Sequence, residues 1–566
     1  MMQHLKPERW ARLFRRFLAA ITVILMLAGC AQLPTSGQVQ RGPDLSGDIP
    51  GDYLYYSPTG PIAGASREEV IQGFLNAGTA PQNDYAIARE YLTADFKSKW
   101  DPSGSTLVQR GQLQISNPVK DEFSVTVDVQ SQVDWHGVFS NRPKGTTQTL
   151  DISLIKEGKN WRISKAPNLT VVIAPVFDVI FRSYSLYFFD RAMQNLVPDV
   201  RWFPSRASTT TLVMNALLDG PVAWLAPGVV SAIPSGTRLA IDSVAIDGGV
   251  AKIDLSARAL VAGASERRRM RAQLLATMKQ LPSVNDVEIS IERTPQDIAI
   301  LPINPEPASN KAPIGLSEAG LKHLGNSNST VTNSTAAVQK VNAKDFALSN
   351  DESLLSLKND AGVWYADLGS SIASPIDLID SRPSLITPAF DKGNRLWITA
   401  STSKSDLITY TQSGEARKVE ATWLKGLKRK AIGISPEGSR FAVLEQRKTG
   451  NRLLVAVIVR DESGNPISLG FPIEVAVADA TVESFSWADT THIAVIAKNA
   501  SGQKPRVIEL GGSSRSLPLT TDAVKILASN PLSAIYAVTK TGDVLQLRGS
   551  TWDTIASKQT AVAIGH

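Results

Sequence analysis

Residues 341–566 contain an internal repeat, and this feature constrains the fold more than any other part of the 566-residue chain. Each copy reads as a strand, a turn rich in Ser, Asp and Gly, and a second strand. The copies are FALSNDESLL from Phe346, IGISPEGSRFAV from Ile432, SFSWADTTHIAV from Ser484, ILASNPLSAIYAV from Ile526 and, more weakly, the stretch from Leu385 through DKGNRLWI. Recurrence at roughly 40–50 residues is the period of a β-propeller blade, and about five blades fit the length. Because a blade's apolar face can be covered only by its neighbour, the repeat predicts a closed ring. A β-sandwich with extra hairpins is the alternative.

The net charge of the chain lies mostly at its N-terminus. A formal charge of +6 and a pI near 9.1 invite the hypothesis of nucleic-acid binding. Residues 1–29 contain five basic residues and one acidic residue, a net of +4: Lys6, Arg9, Arg12, Arg15 and Arg16 against Glu8. The rest of the chain therefore carries about +2, so its charge gives no support for a nucleic-acid partner.

The same N-terminal segment has the layout of an export signal. Residues 17–28, FLAAITVILMLA, form an apolar run of 12. That is shorter than the ~20 residues that a spanning helix needs, and it is typical of the apolar region of a signal peptide. The run ends in Leu27-Ala28-Gly29-Cys30, and Cys30 is the sole cysteine of the chain.

This ending resembles the bacterial lipobox. The resemblance implies a signal peptide over 1–29, cleavage between Gly29 and Cys30, and lipid on the Cys30 sulfur, usually with a further acyl chain such as palmitate. Because two or more acyl chains hold a protein stably where one barely does, we expect a lipid anchor on the extracytoplasmic face of the cell membrane. Residues 30–59, rich in Gly and Pro, predict a flexible tether after the lipidated cysteine.

Residues 60–170 predict an α+β domain. Ser66-Arg-Glu-Glu69 is a capping box that opens a helix, a second short helix covers about 84–92, and alternating strands such as Phe123–Val129 follow. Helices followed by a curved antiparallel sheet suggest a cone, which resembles the nuclear-transport-factor-like fold. Such cones often enclose a pocket, but we favour a packed core without a ligand.

Residues 171–300 predict an α/β domain. The segments LYFFD, LLDGP, SAIPSGTRL, AKIDLS and RRRMRAQLLATMKQLPSVNDVEISI resemble the GerMN domain of spore germination proteins, which implies a noncatalytic envelope module. Its second helix begins with four arginines: Arg267, Arg268, Arg269 and Arg271. They form either a solvated face or a contact with anionic wall polymer or lipid headgroups. Arginines at a helix N-terminus oppose the helix dipole, which keeps the binding hypothesis open.

Residues 301–340 predict a polar linker, because the stretch NSNSTVTNST has no apolar periodicity.

Motifs for catalysis or cofactor binding are absent from the sequence. It contains no GxSxG, HExxH or P-loop and no complete penicillin-binding set of SxxK, SDN and KTG motifs, and its histidines are not spaced as a ligand pair. We therefore expect no enzyme, no cofactor and no metal. Paired carboxylates could still meet, as in glycoside hydrolases, but Asp351 with Glu352 and Asp479 with Glu483 fall at predicted turns, where they would bond the backbone. Five tryptophans could stack on sugars, although at blade positions they are more often core: Trp364, Trp397, Trp423, Trp487 and Trp552.

The order of these parts resembles one family over essentially the whole chain. Lipobox, cone, GerMN-like module, linker and propeller follow one another in the LpqB family of actinobacterial lipoproteins. The resemblance implies a multidomain protein that contacts the extracellular domain of a sensor kinase similar to MtrB. It would thereby modulate the MtrA–MtrB two-component system, which is tied to the cell wall and division. The alternative hypothesis is a cell-wall polysaccharide-binding protein or an envelope hydrolase.

Overall fold

The computed structural model describes most of the chain after residue 57. The described residues are 58–119, 122–305, 312–318, 320–325, 329–331, 334–369, 376–402, 404–477, 480–520, 522–529, 532 and 534–565. The predicted signal peptide, Cys30 and nearly all of the predicted tether lie outside them. All described residues belong to one compact unit, Leu54–His566. Within the described ranges, no helix has both the length and the apolar character to cross a membrane.

The first domain is an α+β layer structure. It begins with three helices: α1 Arg67–Ala77, α2 Ala86–Glu90 and α3 Ala94–Lys97. The predicted capping box is confirmed, because the Glu69 amide donates to Ser66 Oγ at 3.2 Å and the Ser66 amide donates to Glu69 Oε2 at 2.7 Å. The apolar face of α1, with Val70, Ile71 and Phe74, is buried. These contacts anchor the helices on one face of the sheet.

Seven strands form the sheet of the first domain. They are β1 Ser105–Gln109, β2 Gln114–Val119, β3 Glu122–Asp134, β4 Phe139–Asn141, β5 Thr147–Glu157, β6 Asn160–Lys165 and β7 Thr170–Ile173. The order is β6-β5-β3-β1-β7, with β2 and β4 also paired to β3. Strand β7 runs parallel to β1, and Thr170 Oγ1 lies 2.8 Å from Thr106 Oγ1. The sheet thus extends beyond residue 170, the predicted end of this domain.

The middle domain has two small sheets and two long helices. Its elements are α4 Ala174–Ile180, β8 Phe181–Asp190, β9 Leu196–Pro204, α5 Thr209–Asp219, β10 Val229–Val230, β11 Ala245–Asp247, β12 Val250–Leu255, a 3-10 helix Ala257–Val261, α6 Ala264–Met278, β13 Asp286–Ile291 and β14 Thr294–Pro295. One sheet has the order β10-β8-β9 and the other β11-β12-β13-β14. Helix α6 joins the parallel strands β12 and β13, and its buried Met270, Leu274 and Met278 belong to the core that both sheets share. This is the α/β arrangement that the sequence predicts.

The C-terminal domain contains five four-stranded antiparallel sheets, the third with an extra strand. Sheet one is β17 Asp345–Leu348, β18 Leu354–Lys358, β19 Val363–Asp367 and β20 Asp377–Asp380; sheet two is β21 Ala389–Phe390, β22 Leu396–Ile398, β23 Leu407–Tyr410 and β24 Ala416–Val419; sheet three is β25 Arg429–Ile434, β26 Arg440–Glu445, β27 Arg452–Arg460, β28 Pro466–Leu469 and the extra β29 Ile473–Glu474; sheet four is β30 Thr481–Trp487, β31 His492–Asn499, β32 Gly502–Glu509 and β33 Ser514–Ser516; sheet five is β34 Ala523–Ser529, β35 Ala534–Thr539, β36 Val544–Arg548 and β37 Thr551–Ala556. The first strand of each sheet is the inner one. These five sheets are the five predicted blades.

A sixth sheet closes the ring, and it corrects the sequence-based prediction of a polar linker over 301–340. It consists of β15 Ile314–Ser317, β16 Gly320–His323 and β38 Ala561–Ala563, in the order β16-β15-β38. A helix, α7 Ser334–Val341, packs against β16 and β18. Ile314, Leu316 and Leu321 are buried. These few apolar residues are enough to form a strand pair because β38, from the C-terminal end of the chain, pairs with β15. The composition of residues 301–340 alone does not reveal a partner so distant in sequence.

The pairing of β38 with β15 predicts that Val562 is a stability determinant of the ring. Val562 lies opposite Gly315 and is 1% exposed, whereas Thr560, two residues earlier, is exposed. Val562→Asp would bury an unpaired carboxylate and cost about 3 kcal/mol or more. For a domain of this size, the thermal unfolding midpoint should fall by roughly 6–12 °C, measured by scanning calorimetry. The control Thr560→Asp should move it by less than roughly 2 °C; equal effects of the two variants would contradict the role of β38.

Candidate functional site

The six sheets surround a cavity on the axis of the ring, here called the axial cavity. Its volume is about 420 Å³, and residues of β17, β21, β25, β30, β34 and β38 line it. All six sheets contribute their inner strand, so the cavity exists only because the ring is closed. A volume of this size is in the range of small-molecule and peptide sites.

One end of the axial cavity carries polar side chains, here called the polar ring. They lie at or near the start of five inner strands: Asp345, Thr387, Lys430, Glu483 and Lys525. Lys430 Nζ is 3.0 Å from the Glu483 carbonyl oxygen and 3.2 Å from Glu483 Oε2. Thr387 Oγ1 donates to Asp345, and Lys525 Nζ donates to the Val562 carbonyl at 2.7 Å. The polar ring therefore combines one ion pair with a separate cation and a separate anion.

The other end of the axial cavity is apolar, with one exception. The wall there includes Leu348, Ile434, Leu527 and Trp487, which is 1% exposed. The Arg440 guanidinium lies 5.1 Å from the centre of the Trp487 ring. Trp487 Nε1 is buried and has no hydrogen-bond acceptor among the residues that the structure describes. A buried donor without an acceptor is uncommon in folded proteins.

Three of the four carboxylates singled out in the sequence have partners in the structure. Asp351 accepts hydrogen bonds from Ser349 and Ser353 in the turn after β17, as expected for a turn residue. Burial alone would raise the pKa of Asp351, but these hydrogen bonds outweigh it and hold that pKa well below its usual range. Glu352 Oε2 lies 3.2 Å from His323 Nε2. Glu483 is paired with Lys430, and Asp479 lies outside the described residues. Nor does the described part of the chain contain a group of three side chains that could hold a metal ion.

The five tryptophans considered for sugar stacking are packed into the blades. Trp397 and Trp487 are fully buried. Trp364, Trp423 and Trp552 are half-buried and donate their indole N–H to Asn359 Oδ1, the Gly470 carbonyl and the Pro518 carbonyl. Their faces pack against neighbouring side chains rather than forming an exposed aromatic platform.

Helix α6 uses its four arginines in two different ways. Arg267 Nε donates to the Ala262 carbonyl at 2.9 Å, and Arg271 Nη1 donates to the Ile298 carbonyl. Their four-residue spacing places both on one helix face, where they hold the neighbouring loops. Arg269 Nη1 reaches Ser265 Oγ at 3.3 Å, whereas Arg268 is exposed. The sequence analysis treated all four as one surface, but Arg267 and Arg271 bond loops of their own domain.

Trp202 in β9 joins all three domains. Its ring centre lies 5.6 Å from that of Phe139 in the first domain and 5.2 Å from that of Phe177 in α4. Its amide donates to the Gly137 carbonyl at 2.8 Å, and its Nε1 donates to the Gly511 carbonyl of the propeller at 3.1 Å. The sequence analysis gave Trp202 no role.

The contact between the middle domain and the propeller, here called the junction, is packed as closely as a core. Val457 of β27 is fully buried within the middle-domain core. Gly228 approaches it so closely that a Cβ on Gly228 would lie 2.2 Å from Val457 Cγ2. Gly511 has a φ of +85°, and a Cβ there would lie 3.3 Å from the Val200 carbonyl. Only glycine fits both positions without movement of the neighbouring chain.

An ionisable cluster lies at the junction. His492 Nδ1 is 2.9 Å from Asp489 Oδ2, and Glu509 Oε1 accepts a 2.9 Å hydrogen bond from Ser183 Oγ of the middle domain. Burial would lower the pKa of His492, but the hydrogen bond and charge of Asp489 outweigh it, so that pKa lies above its ordinary value. Burial also raises the pKa of Glu509. Burial would raise the pKa of Asp489 as well, but the hydrogen bond and charge of His492 outweigh it and keep that pKa low. The junction thus holds three groups whose pKa values depart from their ordinary values.

The raised pKa of His492 predicts that the junction weakens as the pH rises. A histidine with a raised folded-state pKa contributes stability that is complete below its ordinary pKa of 6.5 and is lost as the pH rises through the folded value. His492→Gln should therefore lower the unfolding free energy at pH 6 by about 1 kcal/mol and have little effect at pH 9. Thermal unfolding at both pH values checks this. The control Ser501→Asn changes an exposed residue that does not titrate, in the turn between β31 and β32, and should alter stability equally at the two pH values. An equal loss at pH 6 and pH 9 in His492→Gln would refute the prediction.

Comparisons with known proteins cover nearly the whole chain. Residues 60–178 match a family model described as the N-terminal domain of lipoprotein LpqB, residues 185–297 one described as sporulation and spore germination, and residues 320–562 one described as the lipoprotein LpqB beta-propeller domain. Lipoprotein LpqB of Streptomyces avermitilis is 25% identical over 95% of this chain and 96% of its own length. That of Cutibacterium acnes is 24% identical over 99% of both chains. That of Bifidobacterium longum is 32% identical over 46% of this chain and 47% of its own length.

Two solved structures are similar to parts of this chain. The first GerMN domain of the sporulation protein GerM from Bacillus subtilis is 23% identical, with a match that covers 22% of this chain and 94% of that one, at a TM-score of 0.18. A chain from a nidogen/laminin complex is 12% identical, with a match that covers 45% of this chain and 98% of that one, at a TM-score of 0.34.

Proposed function

Because the chain belongs to the LpqB family of lipoproteins, we propose that it is a lipid-anchored docking protein on the extracytoplasmic face of the cell membrane. In this proposal it binds the extracellular domain of an MtrB-like sensor kinase and changes the balance between the kinase's signalling states. Cys30 would carry the lipid. An effector can shift such a balance only if it has different affinities for the two states, so the proposal requires a defined, rigid contact surface.

The observation that carries the proposal is the way Trp202 and the junction unite three domains in one body. The Trp202 ring and indole N–H reach the first domain and the propeller, and Val457 of the propeller is fully buried in the middle-domain core. A kinase bound at one domain would therefore meet a surface whose geometry the other two domains help to fix. Flexible linkers between the domains would not permit this.

The predicted tether would bring this body within reach of a membrane kinase. From Cys30 to Pro58 is 28 residues, and a flexible chain of that length has a root-mean-square span of about 30 Å. Anchoring within such a distance raises the effective concentration of one membrane protein near another, so a weak intrinsic affinity is sufficient.

We expect direct binding of the exported chain to the extracellular domain of the kinase. Calorimetric titration of the Cys30→Ser protein, without its signal peptide, should give a Kd of roughly 1–100 μM, typical of contacts that tethering reinforces. A folded but unrelated kinase extracellular domain is the control. Absence of measurable heat with both proteins folded would contradict the proposal. Release of sugar or peptide from purified cell wall, lost on replacement of Glu483, would favour the alternative of an envelope hydrolase.

We also propose that the exposed Arg268 contacts an anionic surface, with lipid headgroups as the surface to test. Leu260 and Val261, in the 3-10 helix before α6, are 51% and 63% exposed. The Leu260 carbonyl accepts from Arg267 Nη2 at 3.3 Å, which ties this apolar pair to the start of α6. Apolar side chains beside a cation are the combination that binds the interface of an anionic bilayer.

Cys30→Ser should move the protein from the membrane to the soluble fraction, because the lipid supplies most of the membrane affinity. Its residual binding to phosphatidylglycerol vesicles, measured by co-sedimentation, should weaken about fivefold or more in Cys30→Ser/Arg268→Glu and fall with salt. Arg142→Glu, an exposed arginine of the first domain, serves as the matched control. Persistent membrane retention of Cys30→Ser would refute the anchor; equal effects of the two arginine changes would refute the Arg268 contact.

A further inference from the structure

We propose that a cleft between the first and middle domains binds a neutral glycan, with the Trp135 indole as the stacking surface and the carboxylates of Asp134 and Asp219 as hydrogen-bond acceptors. Two hollows, here together called the interdomain cleft, have volumes of about 460 Å³ and 110 Å³. Both are lined by Asp134 and His136 of the first domain and by Asp219 of the middle domain. The larger hollow is in the size range of small-molecule sites.

Trp135 is an aromatic side chain that the fold leaves open to solvent, and it is not one of the five tryptophans of the blades. It lies in the turn after β3, lines the smaller hollow and is 65% exposed. The His136 ring packs against the indole, with 34° between the two ring planes. The indole is therefore supported on one side and accessible on the other, which is the surface that the C–H face of a sugar ring covers.

Hydrogen bonds from both domains hold the turn that carries Trp135. Asp134 Oδ1 accepts from the amides of His136 and Val138, both at 2.9 Å. From the middle domain, Arg201 Nη1 donates to the His136 carbonyl at 2.8 Å. A turn that is already ordered loses little conformational entropy when a ligand binds, so Trp135 is positioned in advance.

The polar groups of the cleft are available to a ligand. Asn215 and Asp219 lie one helical turn apart near the end of α5, and both are exposed. Among the described residues, neither side chain has a hydrogen-bond or ion-pair partner, and nor does Asp134 Oδ2. Arg201, the one Lys or Arg in the described lining, is neutralised by Asp199 at 2.7 Å. The cleft therefore offers two carboxylates and an amide, with a net negative charge.

A neutral glycan fits this set better than other ligand classes. Sugar hydroxyls donate to carboxylates and accept from an amide such as that of Asn215, while the apolar face of the ring covers the indole. The negative charge of the cleft repels phosphates and anionic polymers. A cationic peptide would be attracted, but a cation over an exposed aromatic ring adds only about 0.5–1 kcal/mol, and a single ammonium group would leave most of the larger hollow empty.

The test is calorimetric titration of the Cys30→Ser protein, without its signal peptide, with two neutral trisaccharides, chitotriose and cellotriose. We expect a Kd of roughly 0.1–1 mM for at least one of them. Trp135→Ala should weaken that binding about tenfold, Trp135→Tyr should retain most of it, and Asp219→Asn should weaken it about threefold or more. Phe471→Ala and Asp247→Asn change exposed residues outside the cleft, and as matched controls they should leave the affinity unchanged.

Three results would overturn the proposal. The first is absence of binding to both trisaccharides at 10 mM by a protein with an intact thermal transition. The second is unchanged affinity in Trp135→Ala or Asp219→Asn, and the third is tighter binding of tri-lysine than of either trisaccharide, which would assign the cleft to a cationic peptide. Both replaced residues are exposed, so the thermal midpoint of each variant should stay that of the unchanged protein. Failure here would leave kinase docking unaffected, since that contact is measured without glycan.

Discussion

The position of Trp202 is the contact on which the arrangement of the whole described unit depends. Its ring packs on Phe139 and Phe177. Its amide donates to the Gly137 carbonyl, and its indole N–H donates to the Gly511 carbonyl. Large aromatic side chains contribute several kcal/mol when buried, and the indole donor adds direction to that contribution. Trp202 therefore adds non-covalent contacts between the α+β domain, the α/β domain and the propeller, beyond the covalent connections of the chain.

Closure of the propeller provides the second constraint. The inner strand of the sixth sheet, β38, comes from the C-terminus, while β15 and β16 come from the segment before the first blade. The two ends of the domain are thus joined by hydrogen bonds within one sheet, and no blade is left with an uncovered apolar face. The axial cavity and its polar ring follow directly from this closure, because each inner strand begins at the same end of the ring.

Local patterns in the sequence predicted the local structure well. The capping box at Ser66, the alternation through Phe123–Val129 and the repeat of strand, turn and strand each rest on neighbouring residues, and the structure contains all three. The sixth sheet was missed because its strands lie at the two ends of the propeller domain, and the polar composition of 301–340 hid Ile314 and Leu316. The role of Trp202 was missed for the same reason: its partners come from positions distant in sequence.

The candidate site was predictable only in part, again for reasons of distance along the chain. The four arginines of α6 stand together in the sequence, but the spacing of Arg267 and Arg271 was the available sign that two of them face their own domain. Lys430, Glu483 and Lys525 lie in different blades, and only ring closure brings them to one opening. The sequence favoured a core role for Trp487, and its side chain is buried. The lack of an acceptor for its indole N–H is set by residues of neighbouring strands, which a local pattern does not reveal.

The fourth sheet contributes to both the axial cavity and the junction. Its inner strand β30 supplies Glu483 and Trp487 to the axial cavity, while β31 and β32 supply His492 and Glu509 to the junction. Only the turn at 488–491 separates Trp487 from His492, and Arg440 both covers the Trp487 ring and donates to the Thr490 carbonyl of that turn. Energetic coupling needs a contiguous element with two arrangements. This turn joins the wall of the axial cavity to the contact with the middle domain.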